Sequence, residues 1–324
     1  MFMNQNITLR DFLMNKLSGF RVNSEVSKMI INSIKSYGAN RLRPTEIIHP
    51  TIVATNEELF EVAASIFKST NDPELFKLFN LVVNQKPSLI DIEYVNRKIE
   101  LPYRGVAYFD TYNKFNYTKI VRHNSYLDIY ALVHELFHII IRKDFAVCRT
   151  ASPKYVYHEV EGHFADFLVH DYIKDHTNDE YVKRVLDIED SNIFRNMEMI
   201  SKCFAVTEVF IQAMIECDHI QLKDVRRRIN NLGLRIPVNL NNLGGYLEEE
   251  HEYEGYVAFC YLIAIDIYDI YKKDPERGVY LLKKIPKLKG EKIKQELSSV
   301  QVTFFEDGHQ NLRNKGQELT KRLK

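Results

Sequence analysis

Two histidines four residues apart, His134 and His138, stand in the run Tyr130-Ala131-Leu132-Val133-His134-Glu135-Leu136-Phe137-His138-Ile139-Ile140-Ile141. On a helix that spacing stacks the imidazoles on one face, so two nitrogen ligands converge on one point. Glu135 flanks the same face closely enough to take a proton from metal-activated water without itself ligating. The chemistry that suits these residues is hydrolysis assisted by one Zn2+ per chain, with Glu135 as general base. The alternative is a buried helix whose histidines are satisfied by ordinary neighbours. Leu132, Val133, Leu136, Phe137 and Ile139 to Ile141 make the helix apolar almost all round, which marks it as a core helix. Two histidines and a glutamate in such a place need partners, and a metal supplies one.

A catalytic zinc takes three protein ligands and keeps a fourth position for water, so a further group must come from another element. Candidates lie in Tyr157-His158-Glu159-Val160-Glu161-Gly162-His163-Phe164-Ala165-Asp166-Phe167-Leu168. On a helix Glu159, His163, Asp166 and His170 share one face while Glu161 points away from Glu159, so one of the two glutamates at most is a ligand. Glu159 lies far enough beyond His138 for a helix end, a loop and a returning antiparallel helix. Asp166 is placed either to hydrogen-bond the free nitrogen of a ligand histidine or to sit as an ordinary surface carboxylate. His163 and His170 are rival ligands.

The elements that must position these residues are legible in outline. Residues 7 to 86 read as several amphipathic helices, one beginning at Asn56 behind a Thr55 cap and the next at Pro73. From about Ile90 to Val121 short aromatic and β-branched segments, notably 104–110 and 117–121, predict a small sheet. Helices are expected again at roughly 126–143, 155–174, 189–217, 220–231 and 248–273, with a last one from about 307. The predicted fold is mainly α with one small β-sheet before the zinc helix.

Composition narrows the setting. The chain of 324 residues has four cysteines, none in a C-x-x-C pair, so neither a disulfide framework nor a thiolate zinc site is expected. The first twenty residues lack the apolar run of a secretory signal, and the longest apolar stretch, Tyr256 to Ile265, is about half a bilayer span. A cytoplasmic location without membrane association is the expectation. Forty-four basic and forty-four acidic residues cancel, which removes any global pull toward nucleic acid. Arg226-Arg227-Arg228 reads as a solvated helix face rather than a binding patch. With twelve glycines, nine prolines and no repeat or low-complexity run, nothing marks an interdomain linker.

With these residues in view, the chain resembles the thimet oligopeptidase and oligoendopeptidase F family of zinc peptidases. Four stretches agree in order, over roughly residues 100 to 300. Gly105-Val106-Ala107-Tyr108 is similar to the family's edge strand beside the bound peptide, and Asp128-Ile129-Tyr130-Ala131-Leu132-Val133-His134-Glu135 to its approach to the zinc helix. Glu159-Val160-Glu161-Gly162-His163-Phe164-Ala165-Asp166 is similar to the helix carrying the glutamate ligand. His251-Glu252-Tyr253-Glu254-Gly255-Tyr256-Val257-Ala258-Phe259-Cys260-Tyr261 is similar to the segment over the cleft.

The resemblance implies a gluzincin-like catalytic domain over residues 90–324, with residues 1–89 a helical region packed on it. It implies His134, His138 and Glu159 as zinc ligands and Glu135 as base. Tyr256 and His251, with Tyr253 behind them, become the oxyanion donors such a hydrolase needs. Gly105, Ala107 and Tyr108 with Tyr253 would touch a peptide or unfolded-protein substrate, taken up as an added strand. Departures are specific. Phe137 stands where the family usually has glycine, implying bulkier packing behind the metal, and Phe259 where a second tyrosine is common, leaving Tyr261 as a substitute. The helical N-terminal half is reduced to about ninety residues, consistent with a more open groove. Two other readings use the same residues: a proteolytic effector or toxin cutting one protein, and a silent binding protein that keeps zinc for structure.

Overall fold

A computed structural model describes residues 22–37, 54–94, 105–110, 115–122, 127–141, 156–216, 221–236, 250–302 and 309–323. Helix α1 (Ser24–Tyr37) turns Val26, Ile30, Ile34 and Tyr37 inward at helical spacing. Next, α2 (Asn56–Ser69) opens on a capping box: Glu58 N–H donates to Thr55 Oγ1 at 3.2 Å and Thr55 N–H donates to the Glu58 carboxylate at 2.6 Å. Pro73 begins α3 (Pro73–Asn80), whose cap Asp72 accepts from Leu75 N–H at 2.9 Å. A π-helical turn (Leu81–Gln85) and a 3-10 turn (Pro87–Leu89) lead into the sheet.

Three strands, β1 (Ile90–Tyr94), β2 (Gly105–Asp110) and β3 (Phe115–Arg122), lie in the order β1-β3-β2. β1 runs parallel to β3, with Ile90 opposite Thr118, and β2 antiparallel to it, with Gly105 opposite Ile120. Among the described residues no strand covers the outer edge of β2.

Helix α4 (Asp128–Ile141) packs on β2, β3, α2 and on α5 (Val160–His176), and His134 is its one residue that is not buried. The chain continues through the long α6 (Glu180–Glu216), α7 (Leu222–Asn231), α8 (Glu250–Lys273), α9 (Pro275–Lys284), α10 (Ile293–Ser299) and α11 (Gln310–Arg322). The architecture is thus mainly α with one small sheet before α4. One apolar cluster runs from Val22, just before α1, and Phe79 of α3 through α4, α5 and α8 to Leu319. Behind the histidines Phe137 stacks on Phe67 of α2 at 4.5 Å between ring centroids, and Phe67 on Phe79 at 4.8 Å. The bulk at position 137 is therefore absorbed by the N-terminal helices. No helix among the described residues is long and apolar enough to cross a membrane.

The structure departs from the sequence expectation at helix ends. α5 begins at Val160, and residues 156–159 form a turn, because Val156, Tyr157 and His158 are poor helix formers and Glu159 is drawn toward α4. α6 starts at Glu180 rather than near 189, with Val185, Leu186 and Ile188 buried on its extra turns. Helices α9 and α10 were not expected, although Asp274 caps α9 by accepting from Arg277 N–H at 3.0 Å, with Pro275 next.

Candidate metal centre

Because α4 is helical through 134–138, both imidazoles leave it on one side, 4.8 Å apart between ring centroids. Their Nε2 atoms face the same oxygen: Glu159 Oε2 lies 3.2 Å from His134 Nε2 and 3.3 Å from His138 Nε2. One ligand atom from each of the three residues falls within 4.8 Å of the others. Glu159 reaches them from the turn immediately before α5, with its carbonyl already accepting from His163 N–H at 3.0 Å.

The other ring nitrogens are also engaged by carboxylates. His134 Nδ1 lies 3.2 Å from Asp166 Oδ1, and His138 Nδ1 lies 3.0 Å from Glu161 Oε1. Each carboxylate can take the Nδ1–H of its ring, which leaves Nε2 as the nitrogen that faces Glu159 and the one that would meet a metal once its own proton is released. Two neutral imidazoles and one carboxylate around a point, with their orientation set from behind, are the donor set that a zinc ion takes. The residues therefore fit the metal.

Close packing makes room for this arrangement at two glycines. A Cβ at Gly162 on α5 would come within 2.3 Å of His134 Nε2, so only glycine lets the ring lie across the helix. A Cβ at Gly105 would come within 2.6 Å of Glu135 Cγ and 2.9 Å of its Oε1, so the first residue of β2 is the floor on which the Glu135 side chain rests.

The charges are strongly coupled. Burial opposes protonation of both rings, but Asp166 and Glu159 hold His134 well above the usual 6.5, and Glu159 with Glu161 raises His138 from 6.5 to about 9. Burial would raise Glu159, yet the two histidines hold it well below 4.5. Asp166 is likewise lowered against its burial by His134. Glu135 differs: burial raises it, and the nearby imidazoles only partly offset that.

Around this point, Tyr253 of α8 donates its hydroxyl to Glu159 Oε1 at 3.3 Å, while its ring packs 5.2 Å from that of His158. His158 Nε2 in turn lies 3.6 Å from Glu159 Oε1. The negative charge of Glu159, then burial, push the Tyr253 hydroxyl up, so it stays a donor. Tyr256, one turn along, is buried in the apolar cluster, as are Phe259 and Tyr261, the latter edge-on to His163. His251 lies on α8, but its side chain and that of Tyr108 fall outside the described residues. Gly105 and Ala107 lie on β2, the edge strand of the sheet among the described residues.

Of the rival ligands, His163 sits behind Asp166, 3.5 Å from its Oδ2, and His170 belongs to a separate network with Asp171, Asp187 and Arg322. Sequence reasoning missed the pairing of Glu161 with His138, the position of His158 and the steric role of Gly162. Of these, Gly162 carried a signal, a glycine within a helical run beside a candidate ligand.

No known family profile and no curated protein sequence matches the chain. Solved structures do. A candidate peptidase from Chlamydophila abortus superposes with a TM-score of 0.62 at 14% identity, over 96% of this chain and 57% of that one. A candidate oligoendopeptidase F matches with a TM-score of 0.57 at 12% identity, over 97% of this chain and 60% of that one. PZ peptidase A gives 0.52 at 12% identity, over 95% and 58%. The chain spans about three fifths of the length of these structures, and what it shares with them is the fold of oligoendopeptidase-type peptidases.

Proposed function

We propose that the chain is a zinc-dependent endopeptidase that hydrolyses peptides or unfolded protein segments. The observation that carries the reading is the convergence of His134 Nε2, His138 Nε2 and the Glu159 carboxylate on one point. When bound there, zinc supplies Lewis acidity that activates water and polarises a peptide carbonyl near neutral pH. Glu135, made a stronger base than an ordinary carboxylate by its burial, takes the proton of the attacking water and delivers it to the leaving amine. Tyr253 offers an O–H to the oxyanion. β2, outermost in the sheet among the described residues, would take an extended substrate as a further strand. Likeness to peptidase folds supports the same reading.

The test is hydrolysis of internally quenched, unstructured peptides by the chain stripped of metal and then given one equivalent of zinc. Activity should vanish and return, and Glu159→Ala should fail to regain it and should hold zinc weakly. Cleavage by the fully stripped protein, or no cleavage of any peptide by the zinc-loaded one, would refute the proposal.

A further inference from the structure

Glu161 is the most deeply buried carboxylate beside the site, with no exposed surface, and sits in the first turn of α5. An ionised carboxylate so enclosed is costly unless it is bonded and paired. His138 engages it: Glu161 Oε1 lies 3.0 Å from His138 Nδ1, on the far side of the ring from Glu159. That side matters. A ligand carboxylate would have to meet the ring's Nε2 face, where Glu159 already stands, so Glu161 cannot share the metal without leaving its present bond.

We propose that Glu161 is a positioning residue that locks the His138 imidazole, through its Nδ1–H, in the tautomer and orientation that present Nε2 to the metal. This rests on the metal reading given above. It makes the site doubly braced from one helix: Asp166 holds His134 and Glu161 holds His138, while Glu159, just before the same helix, contributes the carboxylate between them. A shift of α5 along α4 would then move both histidines and Glu159 together, so metal affinity would depend on the packing of this helix pair.

The experiment measures zinc affinity by competition with a chromophoric chelator for the native chain, Glu161→Leu, Glu161→Gln and His138→Ala. Glu161→Leu removes the acceptor and should weaken zinc binding by ~10- to 100-fold. Glu161→Gln keeps an acceptor oxygen in the same shape and should recover most of that loss. His138→Ala should lose far more. Native affinity in a folded Glu161→Leu, with zinc still lost in His138→Ala, overturns the role of Glu161 and leaves the metal reading standing. A native chain that takes up no zinc overturns both. If Glu161→Leu does not fold, nitrogen NMR of the zinc-loaded protein decides: the His138 Nδ1–H resonance should move between the native chain and Glu161→Gln, and an unmoved resonance overturns the proposal.

Discussion

Gly162 and Tyr253 are the residues through which the site is most exposed to single changes. Alanine is the better helix former by about 1 kcal/mol, so Gly162→Ala on propensity alone should stabilise α5. Its Cβ would instead meet His134 Nε2. The expected outcome is a chain that folds yet binds zinc ~10- to 100-fold more weakly, read by chelator competition. Native affinity would mean that the ring has room the geometry denies it. Tyr253 is half exposed and its hydroxyl lies at Glu159, whereas Tyr256 is buried in the core. Tyr253→Phe should therefore lower kcat by about 100-fold when compared at equal zinc content, since its hydroxyl also bonds the Glu159 carboxylate. A larger kcat loss for Tyr256→Phe than for Tyr253→Phe would transfer the donor role.

Among the elements, α4 is held at its start by a buried charge pair. Arg122 at the end of β3 donates from Nε to Asp128 Oδ2 at 3.1 Å, with both side chains almost wholly enclosed, and its guanidinium also reaches Asn56 and the Ala54 carbonyl before α2. Sheet, α4 and α2 are joined at one residue. Arg122→Met takes the guanidinium away from the enclosed Asp128 carboxylate, and should cost about 3 to 5 kcal/mol in denaturant unfolding. The double variant Arg122→Met with Asp128→Leu should recover much of that, and no recovery would mean the pair itself is not the source of the loss. The apolar run around His134 and the cap at Thr55 were readable because their signals are local. The pairing of Arg122 with Asp128, and of Glu161 with His138, was not. Each depends on where two elements cross, which spacing along one element does not encode. α9 is a different lesson, since Asp274-Pro275 is the same start signal that marked Asp72-Pro73. Glu159 kept its place at the site although the helix predicted to carry it begins one residue later, because the turn before α5 presents it in the same direction.

Across the whole molecule, the protonation of these groups is linked to stability and, on the proposed reading, to metal uptake. His138 is raised from 6.5 to about 9, so in the metal-free chain its contribution to stability is fully present below pH 6.5 and is lost as pH climbs through about 9; His134 is raised as well, and its contribution is lost as pH climbs through its own folded value. Glu159 is lowered, so its contribution is present above about 4.5 and is lost as pH falls through its folded value. Zinc requires both rings neutral at Nε2. Zinc uptake at pH 7.5 should then release at least one proton, detected by calorimetry in buffers of different ionisation enthalpy, and affinity should fall with falling pH. Uptake without proton release would contradict the charge state described for the histidines. The proposed role of Glu135 on α4 as the base for peptide hydrolysis is tested most directly by turnover of an unstructured quenched peptide by Glu135→Gln. In protein carrying as much zinc as the native chain, turnover should fall by ~100-fold or more. Undiminished turnover at equal zinc content would contradict the account.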